Sequence, residues 1–479
     1  MNKHQLPSWE LDHLPAPPPF TMRNLFRVIG PGAILLAASI GSGEWLLGPA
    51  AVLKSGASLL TIITISVFFQ VIVNTEAMRY TMYTGEPIFA GFMRTKPGAL
   101  FWGNLYILLA LLHIGWPGWA ATSASALFAT FEGRLPGPED AAILRYFGYA
   151  TFLACGVILA VGRTIEKMLE RVSWIMLTYI FAFLIFVNIA FVPGDIWWST
   201  VQGFFSPAMI VASETNWLLL GALAAYAGAG GTLNLTISNW IRDKGFAMGS
   251  RVGAIPSLVG GRKLKLSAVG KIFAINAENL QRWRGWWRYV QVDQIWIWGL
   301  MCLVGMFLTV NMARGLIPAG TDLAGLAAGA YQAKYLAEAM GKFWWALTLL
   351  NGFWILFSTQ LGMTDAFVRV VTDIWWHGNP LARQWAGGDV RRIYYSVLFI
   401  FMLWGCIALG LAQPLTLIII GANIAGFILM ISSLHLIVVN RTLLPAELRA
   451  PRWREIALLL STLFYGFFVV QSLRAVIFQ

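Results

Sequence analysis

Gly30-Pro31-Gly32 and, eight residues on, Gly41-Ser42-Gly43-Glu44-Trp45 interrupt an apolar run that extends from Val28 to Leu53. A helix satisfies its own backbone donors and acceptors only while it is continuous, and glycines with a serine around one carboxylate favour unwinding. The segment reads as two half-helices with Glu44 at the break. A second run, Trp217 to Ile241, is cut by Ala227-Gly228-Ala229-Gly230-Gly231-Thr232, too rich in glycine for an uninterrupted helix. Unwound backbone at membrane depth is tolerated where it is buried in protein or lines a cavity. Two such segments in corresponding places of two halves point to inverted repeats with a binding site between them.

Composition places the rest of the chain in the same class. Of 479 residues 58% are hydrophobic and 12% charged, with a mean hydropathy of +0.67, which excludes a water-facing surface over most of the length. Many of the 23 Trp flank apolar runs, among them Trp102, Trp197, Trp198, Trp286, Trp287, Trp375 and Trp376, where an amphipathic ring suits the membrane interface. Cys155, Cys302 and Cys406 fall inside apolar runs without metal or disulfide spacing and read as small core residues. The first twenty residues are polar and Pro-rich, lack the apolar core of a signal peptide and read as a flexible tail. There is no catalytic constellation and no phosphate-binding glycine-lysine loop, so neither an enzyme nor a cofactor is expected.

Apolar runs able to cross about 30 Å of hydrocarbon, roughly 20 residues each, fall at 27–54, 57–83, 99–129, 143–162, 172–192, 215–241, 290–313, 343–372, 392–412, 414–438 and 455–478. Residues 1–26 form a tail, 27–192 a first repeat of five spans, 215–438 a second, and 455–478 an appended helix. The net charge of +12 is a topology signal: with the amino terminus cytoplasmic, 27 of the 34 Lys and Arg lie on the inner side, as the positive-inside rule requires. Eleven spans then put the carboxyl terminus outside, in a cell membrane of the bacterial inner-membrane type. The inner segment 242–289 carries Arg262-Lys263-Leu264-Lys265 and Trp283-Arg284-Gly285-Trp286-Trp287-Arg288. That spacing suits a helix lying on an anionic leaflet, and nucleic acid is not an expected partner.

Gly30-Pro31-Gly32, the eight-residue interval and the order of elements over most of the chain resemble the Nramp family of divalent-metal transporters. The resemblance implies the all-α LeuT-like fold of the amino-acid/polyamine/cation superfamily, a 5+5 inverted repeat with unwound first and sixth helices. The family's Asp-Pro-Gly-Asn falls on Gly41-Ser42-Gly43-Glu44, and its Met-Pro-His-Asn on Gly231-Thr232-Leu233-Asn234. Its metal-binding aspartate therefore falls on Gly41, its asparagine on Glu44 and its thioether on Gly231. One carboxylate is kept, displaced by three positions, and the soft sulfur is lost. Oxygen ligands alone suit Mg²⁺, Ca²⁺ or Mn²⁺. The family's proton relay through spans 3, 6 and 9 finds only His113 in span 3 and no ionisable residue inside span 9, so weak or absent proton coupling is expected.

Glu44 is the candidate metal ligand; its alternative is a structural cap on the second half-helix. Gly41, Ala227, Gly228 and Gly231 would offer main-chain carbonyls, and Ser42, Thr232 and Asn234 side-chain oxygens, unless they only satisfy backbone freed by unwinding. Gln70 and Asn74 share one face of span 2; Gln70 is a candidate lining residue, whereas Asn74 reads as an interhelical bond. Glu76 and Arg79 read as an inner gate or structural ion pair. In span 8, Asp365, Arg369 and Asp373 at four-residue steps fit a salt-bridge run, with Gln360 and Asp365 toward the inner vestibule. Asn423 in span 10 is a candidate from the opposite side, and His113 reads as a satisfied core histidine. The expected activity is alternating-access transport of a hard divalent cation, such as Mg²⁺ or Mn²⁺, by a monomer in a lipid bilayer. A small organic solute (amino acid, amine or organic acid) is the alternative, and a sensor or scaffold that no longer transports is a third.

Overall fold

A computed structural model describes residues 6–207, 215–261, 265–321, 323, 329–411 and 413–477. Among them ten helices are long and apolar enough to cross a membrane: Pro31–Ser55, Ala57–Thr84, Ala99–Glu132, Pro138–Ala160, Ile165–Phe191, Ala277–Leu316, Lys342–Gly378, Val390–Ala408, Pro414–Leu443 and Arg452–Ile477. The remaining expected span, the sixth in chain order, is present as two halves, Trp217–Tyr226 and Thr232–Lys244. Between them Gly230 and Gly231 adopt φ of +80° and +51°, a region closed to most side chains.

The first break is narrower than its glycines suggest. Helix Pro31–Ser39 stops at Ile40 and Gly41, and Gly43–Leu47 resumes at once as a wide π-turn before Gly48–Ser55. Two other spans also differ from expectation. Span 3 is kinked between Ala99–Ile114 and Gly118–Glu132, where Pro117 cannot donate to the helix ladder. Span 7 begins thirteen residues early, at Ala277, and carries a π-helical stretch over Val292–Leu300.

Burial sorts the spans into centre and rim. Of the most apolar window of span 1, 94% is buried, against 33% in spans 4 and 11, whose outward Leu153, Leu463 and Ile477 are suited to lipid. Spans 1, 2, 6, 7 and 8 form the packed centre.

The amino-terminal tail is strapped down rather than flexible. Glu10–Leu11 pairs in parallel with Lys271–Ile272, and Trp9 Nε1 donates to Glu86 at 3.0 Å. The Pro-rich stretch keeps its chain extended, and Arg282, Trp286 and Tyr289 donate to the carbonyls of Leu14, Pro15 and Pro19. The aromatic face of helix Ala277–Gln291 is therefore taken up by protein and not by a leaflet: Trp283 and Trp286 are each 6% exposed, and the Arg79 guanidinium stacks 4.1 Å from the Trp287 ring. Arg262-Lys263-Leu264 lie outside the described residues. The end of the bundle that carries this strap is the tail face; the opposite end is the far face.

Candidate substrate site between the helix breaks

Glu44 is fully buried at the first break. Its Oε2 accepts the Gly41 N–H at 3.1 Å, which ties the break to the second half-helix, while Oε1 has no hydrogen-bond partner among the described residues. One oxygen thus does the structural work and the other is spare. The two breaks touch each other. A methyl group added at Gly43 would lie 1.9 Å from the Tyr226 carbonyl oxygen, at the end of the first half of span 6, and one at Gly41 would lie 1.9 Å from Thr359 Oγ1 on span 8. Glycine is required here for close approach as much as for unwinding. Ser42 Oγ accepts from Trp119 Nε1 at 3.1 Å. The Glu44 carboxylate, the Ser42 and Thr359 hydroxyls and the Tyr226 carbonyl are the oxygens gathered at Gly41 to Glu44.

The second break is held by span 2. Gln70 Oε1 accepts the N–H groups of Ala229 and Gly230 at 2.9 and 3.3 Å and Asn234 Nδ2 at 3.1 Å. Its Nε2 donates to Ser66 Oγ and to the Ala225 carbonyl at 3.0 and 3.1 Å. Gln70 therefore satisfies the donors that unwinding exposes, as buried backbone requires. Gly228 packs against Gln70 and Trp298, Gly231 against the backbone of Ala425 on span 10, and Ala227 and Thr232 are buried beside them. Asn234 continues an amide chain: its Nδ2 donates to Asn74 at 2.8 Å, and Asn74 donates to Gln294 at 2.9 Å. Gln294 in turn donates to Asp293 at 2.8 Å, whose other oxygen accepts Gly30 and Gly32 N–H at 3.3 and 3.0 Å. The start of span 1 is linked in this way to the break in span 6. Asn234 Oδ1 is a further buried acceptor without a donor among the described residues.

Other expected site residues belong to the closures at either end. Asp365 is spent on Tyr394, Trp240 and Arg369, at 2.6, 2.7 and 3.0 Å, so it seals the tail face instead of lining a vestibule. The expected ladder forms its first rung only: Asp373 pairs with Arg242 at 2.6 Å, and Arg369 turns to Asp243. Glu76 and Arg79 pair at 2.7 Å, and Arg454 and Asn440 join them at 2.7 and 3.1 Å, making a buried staple between spans 2, 10 and 11. Asn423 lies away from the breaks. It donates to Leu218 and Ile419 carbonyls and accepts from Ser472 at 2.7 Å, which is helix-to-helix bonding. Gln360 stands next to Trp119 and Thr364 at a small cavity, with Nε2 unpartnered among the described residues. His113 Nε2 pairs with the Tyr226 hydroxyl at 3.1 Å. At the far face Gln332 donates to the Trp45 carbonyl at 2.6 Å and the Trp45 indole to Gly329 at 3.3 Å.

Sequence reasoning missed Asp293, Gln294 and Gln332. Asp293 had a signal, being a carboxylate at the head of an apolar run; Gln332 sits in a polar connection and had none. Among the described residues no group of three or more His, Cys, Asp and Glu is placed to hold a metal ion, so a cation here would rely on one carboxylate and neutral oxygens.

No protein-family model and no curated protein matches the sequence. Solved structures do match. A mutant form of the manganese transporter of Eremococcus coleocola superposes with a TM-score of 0.67 at 14% identity, covering 99% of this chain and 90% of that one. Mhp1, a nucleobase-cation-symport-1 family transporter in a closed conformation with bromovinylhydantoin bound, gives 0.53 at 13% identity over 93% and 89%. MhsT in complex with L-phenylalanine gives 0.53 at 13% over 92% and 98%. The chain is an all-α membrane protein with the LeuT-like fold, two inverted repeats of five spans with broken first and sixth helices.

Proposed function

We propose that this protein is an alternating-access transporter of a hard divalent cation, Mg²⁺ or Mn²⁺, held between the two breaks by Glu44. Glu44 Oε1 carries the reading, a buried carboxylate oxygen without a donor where two half-helices meet. Three of the N–H groups at the breaks are already taken, Gly41 by Glu44 and Ala229 and Gly230 by Gln70, which leaves fewer donors for an anionic solute. Among the described residues Glu44 Oε1 and Asn234 Oδ1 are spare side-chain acceptors, and the nearby oxygens are of the kind hard cations take. One carboxylate is thin compensation for two charges, so the ion keeps part of its water shell. The unpaired Gln360 Nε2 suits an oxygen of that shell. Alternation opens the Asp365–Arg369–Asp243 closure at the tail face or the Trp45–Gln332 closure at the far face, one at a time. Similarity to a manganese transporter supports the same cargo class.

An organic ammonium compound is the second reading. Trp119 and Tyr226 rings lie 6.0 Å apart beside the first break and Trp298 packs on Gly228, aromatic faces of the sort that attract such cations. Glu44 would supply its single counter-charge.

Thermal stabilisation of the purified protein by Mg²⁺, Mn²⁺, Ca²⁺ and a panel of amines, amino acids and organic acids, with Glu44→Ala in parallel, separates the two. Divalent stabilisation lost in the variant supports the first reading, and stabilisation by an ammonium compound alone moves it to the second. A ligand that stabilises wild type and variant equally removes Glu44 from the site.

A further inference from the structure

A second buried carboxylate lies away from the helix breaks. Glu166, in the first turn of span 5, is fully buried, and neither of its oxygens has a hydrogen-bond partner among the described residues. Its own helix presents Glu170, while Lys167 and the preceding Arg163 are exposed. The second half of span 6 presents Lys244, whose ammonium stands 3.8 Å from Glu166 Oε1 but is bonded to Glu170, and Asp243, already engaged by Arg242 and Arg369. Span 7 presents Asp293, held by Gly30, Gly32 and Gln294. Span 8 contributes Arg369 with Asp365, and Asp373 with Arg242. Span 4 carries no charged side chain over its last five residues at this end. The start of span 1 is wedged into the group without a charge of its own: a methyl at Gly30 would lie 2.7 Å from the Glu170 carboxyl and 2.9 Å from Lys244 Nζ.

Across this cluster the carboxylates of Glu166, Glu170, Asp243, Asp293, Asp365 and Asp373 outnumber the cations Lys244, Arg242 and Arg369 by six to three. An ionised carboxylate is costly in a dry interior without a hydrogen-bond donor, the one nearby ammonium, Lys244, is already bonded to Glu170, and acidic neighbours disfavour a further negative charge. We propose that Glu166 is a proton-binding site, occupied in this closed form beside the Lys244–Glu170 pair, and that its proton leaves when the start of span 1 separates from spans 5 and 6. Opening of the tail face is then linked to proton release at a point outside spans 3, 6 and 9. The site stands whatever the cargo is, because no cargo ligand is part of it.

Infrared spectra of the purified protein, with no cargo added, in H₂O and D₂O, report protonated carboxyl groups directly through their C=O stretch. At neutral pH the wild type is expected to show such a band, with a component that is lost in Glu166→Gln, displaced in Glu170→Gln and kept in Glu44→Gln. Glutamine has the shape of the neutral acid, so Glu166→Gln keeps the closed packing, and Glu170→Gln offers an independent check if it does not. Superposition of the Glu166→Gln and wild-type spectra, or an unmoved component in Glu170→Gln, overturns the proposal. A band that vanishes only in Glu44→Gln overturns it as well, while leaving the Glu44 reading in place.

Discussion

Gln70→Leu tests how the second break is held. The replacement is similar in size, so the cavity term is small, but it removes the acceptor of the Ala229 and Gly230 N–H groups and of Asn234 Nδ2. Asn234 keeps its bond to Asn74; the two main-chain donors have no water to turn to, and each stranded group costs about 1–3 kcal/mol. Together they give roughly 2–6 kcal/mol, to which the orphaned Ala225 carbonyl adds. Gln70→Glu keeps all three accepted bonds and, protonated as a buried carboxyl without a counter-charge becomes, donates one bond where Gln70 donates two, so it falls between the two. Thermal unfolding in detergent, followed by tryptophan fluorescence, should rank wild type above Gln70→Glu above Gln70→Leu, with a midpoint for the leucine variant lower by on the order of 5 °C. A leucine variant that melts with wild type would mean that the glycine-rich turn holds itself, and the role assigned to Gln70 would be wrong.

Two further outcomes follow from the tail face. Arg369→Ala removes the cation between Asp365 and Asp243, leaving Asp365 with Tyr394 and Trp240 and Asp243 with Arg242, and breaking a buried pair from one side costs up to about 3–5 kcal/mol; hydrogen exchange over Thr232–Lys244 should quicken, and unchanged exchange would contradict a closing role. Glu86 lies between span 2 and the helix Ile88–Arg94. Burial opposes its ionisation, yet the hydrogen bonds and charge of Arg94, with His377 and Tyr80, prevail and hold its carboxyl below the usual range. A depressed folded-state value gives stabilisation that is full above the unfolded value, about 4.3, and is lost as pH falls through the folded one. The strap bonded through Trp9 to Glu86 should therefore loosen in acid, seen as a change in tryptophan fluorescence, and Glu86→Gln should lose that acid limb. Identical acid profiles for variant and wild type would exclude Glu86 as its source.

The spans and both breaks were legible because apolar length and glycine clustering are local properties of a chain. Glu44 was legible for the same reason, as the ionisable group inside the first break. What the sequence hid is set by partners remote along the chain. A Pro-rich polar tail has one composition whether it is loose or strapped, and its anchors, Glu86, Lys271–Ile272 and Arg282 to Tyr289, lie far downstream. The second rung of the Asp365–Arg369–Asp373 ladder was predicted from helical spacing, which does not know that Arg242 arrives from span 6 to claim Asp373. Gln70 was found by its face on span 2, but its task depends on where the unwound N–H groups point. Asn423 shows the opposite case, an amide that suited the site by position in the repeat and is spent on Leu218, Ile419 and Ser472.

Flux into liposomes reconstituted with the protein shows whether Glu44 binds a transported divalent cation. Uptake of Mg²⁺ or Mn²⁺ should be saturable with wild type, weaker with Glu44→Asp and at the empty-liposome level with Glu44→Gln. Divalent uptake that survives Glu44→Gln unchanged, or a wild type that moves an organic ammonium compound and no divalent ion, would contradict the account.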